Sequence, residues 1–430
     1  MLGATVNTVP VKNTSYKVVL PFYLYAAISF LAATIFLLIS TTAFTGHYFH
    51  PHILAITHSM ALGWGTMIIL GASHQLVPVL IEAKLYSNTL AYVSFLSAGI
   101  GIPMLVYGFY VFNMGWPAQW GGCFIVLGIL SYLINSAISM AKSKSESIHA
   151  MFVFTATLWL FLTALLGLSL VYNFTYSLMS KDSLHYLTLH AHAGIIGWFL
   201  LLIIGVGSRL IPMFLISKYI NVQLLWWIYS LINSALLGFL LLFLYSGSKA
   251  LLLLPVITVL VAICLFIYYC ICSYKQRIRK QADNQIKMSL LSVSMLLLPV
   301  VLLLMVIIFL MTTSGEKINL ILAYGFIIFF GWITAIILGM TFKTLPFIIW
   351  NKVYHHRSGL GKTPNPKDLF SHHIFKIMII AYIAGFVLFA IGILITQIHF
   401  LKAGAALLLL TAILYNWNVL KLITHKPIPA

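Results

Sequence analysis

Long apolar runs, separated by short polar breaks, make up most of this chain. Twelve of the runs are long enough to cross the hydrocarbon core of a bilayer as helices. They fall at about 18–42, 53–80, 88–112, 119–141, 150–171, 184–214, 223–247, 250–273, 288–312, 318–347, 375–397 and 401–420. Acidic residues stay outside them: Glu82, Glu146, Asp182, Asp283, Glu316 and Asp368 all fall at run ends or in the breaks. The pattern predicts an all-α, polytopic membrane protein with twelve transmembrane helices. Composition agrees, because 62% of residues are hydrophobic and only 7% charged, too few charges to cover a soluble domain of this length. A carboxylate relay across the membrane is excluded by the same placement. The first run lacks the flanks of a removable leader and reads as a retained span.

A longer period lies over the apolar one. Gly63-Trp64, Gly197-Trp198 and Gly331-Trp332 recur at intervals of 134 residues. Gly71, Gly205 and Gly339 follow at one fixed distance, and Pro78, Pro212 and Pro346 at another. Four spans fit each interval, so the expected organisation is one membrane domain, 1–430, built from three pseudo-symmetric four-helix repeats at 1–145, 146–280 and 281–430. The repeated block occupies spans two, six and ten. Its small residues allow close helix approach, and its proline is expected to mark the end of each helix. Siblings can then be compared position by position. Five residues before the first glycine, the copies hold His58, His192 and Phe326.

Charge sets the expected orientation. The formal net charge is +18, and with both termini on one side only Lys181, Lys249, Lys317 and Lys402 fall on the other. This bias places both termini in the cytoplasm of a bacterial inner membrane and explains the basic balance without a nucleic-acid partner. Lipid is the expected surrounding partner. The basic loop from Asn351 to Phe370 reads as a surface connection or as a docking point for anionic headgroups or a partner. Gln75, Arg209 and Lys343, at matching positions near the inner helix ends, are expected to snorkel. The four cysteines, Cys123, Cys264, Cys270 and Cys272, form no CxxC or CxxCH, so covalent c-type haem is excluded.

Histidine carries the candidate chemistry. Fifteen histidines stand against six acidic residues. Those assigned to the outer side are His47, His50, His52, His58, His185, His190, His192 and His399. A neutral imidazole ligates transition metals and haem iron in a low-dielectric site. His190 and His192 are two residues apart, about 200° around a helix, so one can face span two and the other span ten. The candidate ligands are His58, His190 and His192, with His52 and His185 nearby. His74 is expected at the inner edge, and His355-His356 and His372-His373 at the inner surface. Met60, Met67 and Met213 would be soft ligands in a copper relay.

Twelve spans in three groups of four, with His58-Ser-Met-Ala-Leu-Gly-Trp-Gly and His192-Ala-Gly-Ile-Ile-Gly-Trp, resemble subunit I of the haem–copper oxidases and nitric oxide reductases. The likeness extends to smaller subunit-I-like and NnrS-type membrane proteins. It implies that His58 sits where the oxidases hold a low-spin haem and His190 or His192 where they hold a copper ligand. The chain departs from that pattern: span ten reads Tyr324-Gly325-Phe326-Ile327, and span seven has no histidine pair. Neither the usual low-spin pair nor the usual haem–copper centre can form, so a bound haem would pair His58 with His190 or His192. The expected function is a membrane protein with b-type haem, copper or both near the periplasmic face. It would transfer electrons or handle nitric oxide or oxygen without pumping, served by an electron-donor protein or other membrane subunits. The alternatives are a copper transporter or metallochaperone, and a degenerate, metal-free subunit of a larger complex.

Overall fold

Residues with a continuous apolar environment satisfy their backbone groups within helices, and the twelve long apolar runs do so among the described residues. The computed structural model describes residues 14–143, 147–245, 248, 250–312, 317–355 and 363–427. Glu146, Lys249, Glu316 and His356 lie outside the described residues. Twelve helices among the described residues are long and apolar enough to span a membrane, and we number them in chain order. They are α1 (Tyr16–Ile39), α2 (Pro51–Leu80), α3 (Asn88–Tyr110), α4 (Trp116–Ala141), α5 (Ile148–Tyr176) and α6 (Ser183–Leu215). There follow α7 (Val222–Tyr245), α8 (Ala250–Lys275), α9 (Asn284–Thr312), α10 (Ile318–Tyr354), α11 (His372–Leu394) and α12 (Ile398–Ile423). The protein is an all-α polytopic membrane protein.

The polar breaks act as helix starts. At the end of the bundle that holds both chain termini, α1, α3, α5, α7, α9 and α11 begin on Ser15, Ser87, Ser147, Asn221, Asp283 and Ser371. Each of these side chains accepts a first-turn backbone N–H, which meets donors the helix cannot satisfy itself. Asp283 has a second role. Its other oxygen pairs with Lys343 of α10 and, at 3.2 Å, with Arg279. Lys343 therefore turns inward to a carboxylate instead of snorkelling. The repeated prolines also behave differently from expectation. Pro78 and Pro212 stand in the last turn of α2 and α6, whereas α10 runs on past Pro346 to Tyr354.

The three helices bearing the repeated block form the centre. Between 72% and 78% of the spanning windows of α2, α6 and α10 are buried, against 44% or less for every other helix. The repeated glycines make this possible. A Cβ at Gly71 would come within 2.6 Å of Phe22 on α1, and one at Gly197 within 2.7 Å of Trp159 on α5. Each central helix also widens into π-helical turns at the same place in its repeat: Ser59–Thr66, Ala193–Leu200 and Ile327–Ile333. π-Turns are rare and cluster at functional positions; here they begin immediately after His58, His192 and Phe326.

The central helices are tied together by indoles. Trp198 Nε1 donates to Thr66 Oγ1 of α2 at 3.0 Å, and Trp64 Nε1 donates to Thr334 Oγ1 of α10 at 3.2 Å. Each link runs from one repeat to the one before it, around a closed ring. The third link is broken. Position 200, which matches Thr66 and Thr334, is leucine, and Trp332 Nε1 is buried without a partner among the described residues.

Thr66→Val should lower stability by about 1–3 kcal/mol, because it orphans a second buried indole donor. Leu200→Thr should be better tolerated beside Trp332 than in a Trp332→Phe background, by about 1 kcal/mol of coupling. Unfolding in detergent of Thr66→Val against wild type measures the first effect, and of the four-variant Leu200/Trp332 cycle the second.

Candidate metal centre

A cavity of about 570 Å³ lies between α2, α6 and α10, in the half of the bundle away from the termini, with a limb between α8 and α9. Its walls are mostly apolar and aromatic, and no Asp, Glu, Lys or Arg among the described residues lines it. Three histidines do: His58, His190 and His192.

Each of the three is held in the same way. His58 Nδ1–H donates to the Leu54 carbonyl at 2.8 Å, and His192 Nδ1–H to the Thr188 carbonyl at 2.8 Å, both one turn back along their own helix. His190 Nδ1–H reaches across to the Thr163 carbonyl of α5 at 3.1 Å. A carbonyl can only accept, so the proton is on Nδ1 and the Nε2 lone pair is free to act as acceptor or ligand. Hydrogen bonding of the remote nitrogen is the support that metal-binding histidines commonly have. Gly167 seats the His190 ring on α5: a Cβ there would lie 2.6 Å from His190 Cε1.

The half-turn between His190 and His192 sends them to different neighbours. His190 faces His58 on α2, with ring centres 6.2 Å apart and planes inclined by 18°. His192 faces Tyr324 on α10, with ring centres 6.0 Å apart and planes inclined by 25°. Tyr324 donates its hydroxyl to His192 Nε2 at 3.3 Å. The two pairs are counterparts, since Tyr324 follows His190 by the same 134 residues that separate His192 from His58. The third pair of equivalent positions holds Phe326 and Ile56. One geometry is thus filled three ways: imidazole with imidazole, imidazole with phenol, and two hydrocarbons. His58 and His192, the symmetry equivalents, face separate partners.

The remaining candidates lie elsewhere. His52 stacks on Tyr110 at 4.3 Å, and His185 packs on Phe243 at 5.1 Å with Nε2 3.3 Å from Lys181 Nζ; neither lines the cavity. His50 caps the start of α2, where partial burial and then the neighbouring His52 hold it below the ordinary imidazole pKa. His47 and His399 are exposed. His74 is not at an edge. It is 1% exposed, ringed by Phe22 and Tyr132, with Nδ1–H on the Leu70 carbonyl. Met60 and Met67 are fully buried away from the cavity and Met213 faces outward; the methionine that lines it is Met114.

Tyr324, Gly167 and Met114 were missed by reading the sequence for ligand types. Tyr324 had a signal, because the 134-residue interval carries the first histidine of His190-Ala191-His192 onto it. Gly167 and Met114 had none.

Among the described residues no three His, Cys, Asp or Glu side chains gather around one point. Structural zinc, which takes four protein ligands, does not suit such a site. Two opposed imidazoles suit a monovalent copper ion, which accepts two ligands, or a haem, whose ring occupies the other four iron positions.

No known protein family matches this chain, and no curated protein is similar to it in sequence.

Proposed function

We propose that the protein is a membrane redox protein that holds a b-type haem between His58 and His190. The carrying observation is the pair itself. Two imidazoles that share one ion through Nε2, each at about 2 Å, have ring centres about 6 Å apart, and His58 and His190 are 6.2 Å apart at their centres. The volume and apolar lining of the cavity favour a large hydrophobic group over a bare ion. The propionates find no charged partner among the described residues of the lining. In this reading the chain is related to the haem–copper oxidase subunit I and NnrS-type proteins. It lies in a bacterial inner membrane with cytoplasmic termini, so the site is in the periplasmic half.

The group would supply one-electron exchange and, on loss of one imidazole, a position for nitric oxide or oxygen. The residues of the chain do the rest. The Leu54 and Thr163 carbonyls fix both Nδ1 protons and leave both Nε2 atoms as lone-pair donors. Phe109, 4.6 Å from the His58 ring, and the aliphatic walls exclude water, which strengthens each interaction inside. Tyr324 keeps a proton at His192 Nε2, so His192 stays out of the ligand pair. With no acidic residue among the described residues of the lining, this reading gives electron transfer no carboxylate proton relay.

One observation favours a second reading. A cavity with no Lys or Arg among the described residues of its lining offers no ion pair to propionates, and two neighbouring imidazoles suit copper(I). The protein would then carry or transfer copper.

An absorption spectrum of the purified protein separates the two. The haem reading predicts a Soret band that sharpens and shifts to the red on dithionite. His58→Ala and His190→Ala should each abolish it, while His52→Ala and His185→Ala leave it intact. A colourless protein with one copper per chain, lost in the same two variants, establishes the second reading. A protein with neither colour nor copper contradicts both.

Gly167→Ala should lower affinity for the bound group at least tenfold, because the added methyl displaces the His190 ring. Loss during dialysis, compared with wild type, measures it.

A further inference from the structure

The cavity extends into two crevices that are counterparts of one another, one between α4 and α5 and the other between α8 and α9. The residues of α5 that line the first, from Leu160 to Phe174, recur on α9 from Leu296 to Leu310, position for position and 136 residues later, apart from Leu168. On the facing wall Gly122 and Ile125 of α4 become Val256 and Val259 of α8. The loss of that glycine changes the packing. Leu168 of α5 lies over Gly122, where a Cβ would come within 2.7 Å of it. Val256 carries a side chain at this point, so α9 cannot close on α8 in the same way. The two helices touch over less of their length than α4 and α5 do.

The crevice left between α8 and α9 is hydrocarbon. Every α8 and α9 residue that lines it is Leu, Ile, Val or Pro. Along α8 it runs from Leu252 to Ile263, about 16 Å at 1.5 Å per residue. That is close to the hydrocarbon depth of one leaflet, about 15 Å. Both helices front the bilayer, with only 28% and 33% of their spanning windows buried. A cation stands at the end of the crevice away from the chain termini. The Lys317 ammonium lies 5.7 Å from the centre of the Phe309 ring, next to the lining residue Leu310.

We propose that the α8–α9 crevice is a lipid site, in which a phospholipid of the leaflet at that end lays one acyl chain along α8 with its phosphate at Lys317. The other candidates fail on size or polarity. Apolar voids stay dry, so water does not fill it. A helix is about 10 Å across, too wide for a crevice whose Val259 and Val300 are only 5% and 8% exposed. An extended hydrocarbon chain is what the surrounding bilayer supplies, and it restores the dispersion contacts that an empty crevice forfeits. The chain then completes the wall of the cavity on its α8–α9 side. The inference does not rest on the metal reading, because no α8 or α9 residue of the crevice can ligate a metal.

The test places full-length protein in phosphatidylcholine nanodiscs doped with a phosphatidylcholine that carries a diazirine at the end of one acyl chain. Illumination followed by peptide mass spectrometry locates the label. Label is expected on Val259, Ile263 or Val300, which face the crevice, as well as on the outward-facing Ile257 and Val261. Val259→Trp fills the crevice and should abolish the inner label while leaving the outer one. Lys317→Glu should lower the inner label too, and this exposed position decides the matter if Val259→Trp folds poorly. A His58→Ala/His190→Ala double variant should label like wild type, so failure of the metal reading leaves this result standing. The proposal is overturned by label confined to outward-facing residues, by inner label unchanged in both crevice variants, or by its loss in the histidine variant. Displacement of the inner label by excess oleate would also overturn it, by assigning the crevice to a free fatty acid.

Discussion

An indole N–H buried at the centre of a membrane protein must find an acceptor inside the protein, because lipid provides none. Two of the three central tryptophans meet this demand with a threonine of a neighbouring central helix, and the third, Trp332, has no such partner among the described residues. Trp198 leans on Thr66, and Trp64 leans on Thr334. The ring fixes the rotation and height of α2, α6 and α10 relative to one another. Everything carried one or two turns above it, including the three cavity histidines, inherits that register. Glycines let the outer helices press close enough to hold the ring shut, and the π-turns place the tryptophan and the histidine position on suitable faces of one helix.

Chemistry enters where the three repeats stop agreeing. The position that gives His58 and His192 gives Phe326, and the position opposite gives His190, Tyr324 and Ile56. Since backbone geometry is shared, these differences are choices of side chain on one scaffold. The α2–α6 interface has two free Nε2 lone pairs. At the α6–α10 interface one lone pair is capped by a phenol, and at the α10–α2 interface the equivalent two positions, Phe326 and Ile56, are hydrocarbons. The broken indole link falls at the α6–α10 interface too. An account of function based on the departures from symmetry is more specific than one based on the shared fold, which many unrelated activities can use.

Much of this was legible in the sequence. Apolar run length gave the spans, because a helix needs a fixed length to cross a bilayer, and the 134-residue interval gave the positions to compare between the central helices. The opposite facing of His190 and His192 followed from helical angle alone. Other features depended on contacts that no local pattern carries. The pairing of His58 with His190 rests on the Thr163 carbonyl and Gly167, both on α5. The inward turn of Lys343 depends on Asp283, which lies 60 residues earlier. His74 looked like an edge residue because it is near the end of its helix, yet α1 and α4 cover it. Residue type overstated His52 and His185, whose rings pack on aromatic neighbours instead of facing the cavity.

X-ray absorption at the K-edge of whichever metal the purified protein retains tests the central claim most directly. The account predicts two histidine nitrogens at about 2 Å, identified by the outer-ring scattering of imidazole, and the loss of one of them in His190→Ala. A spectrum with sulfur in the nearest shell, or with an imidazole count that His190→Ala leaves unchanged, would contradict it.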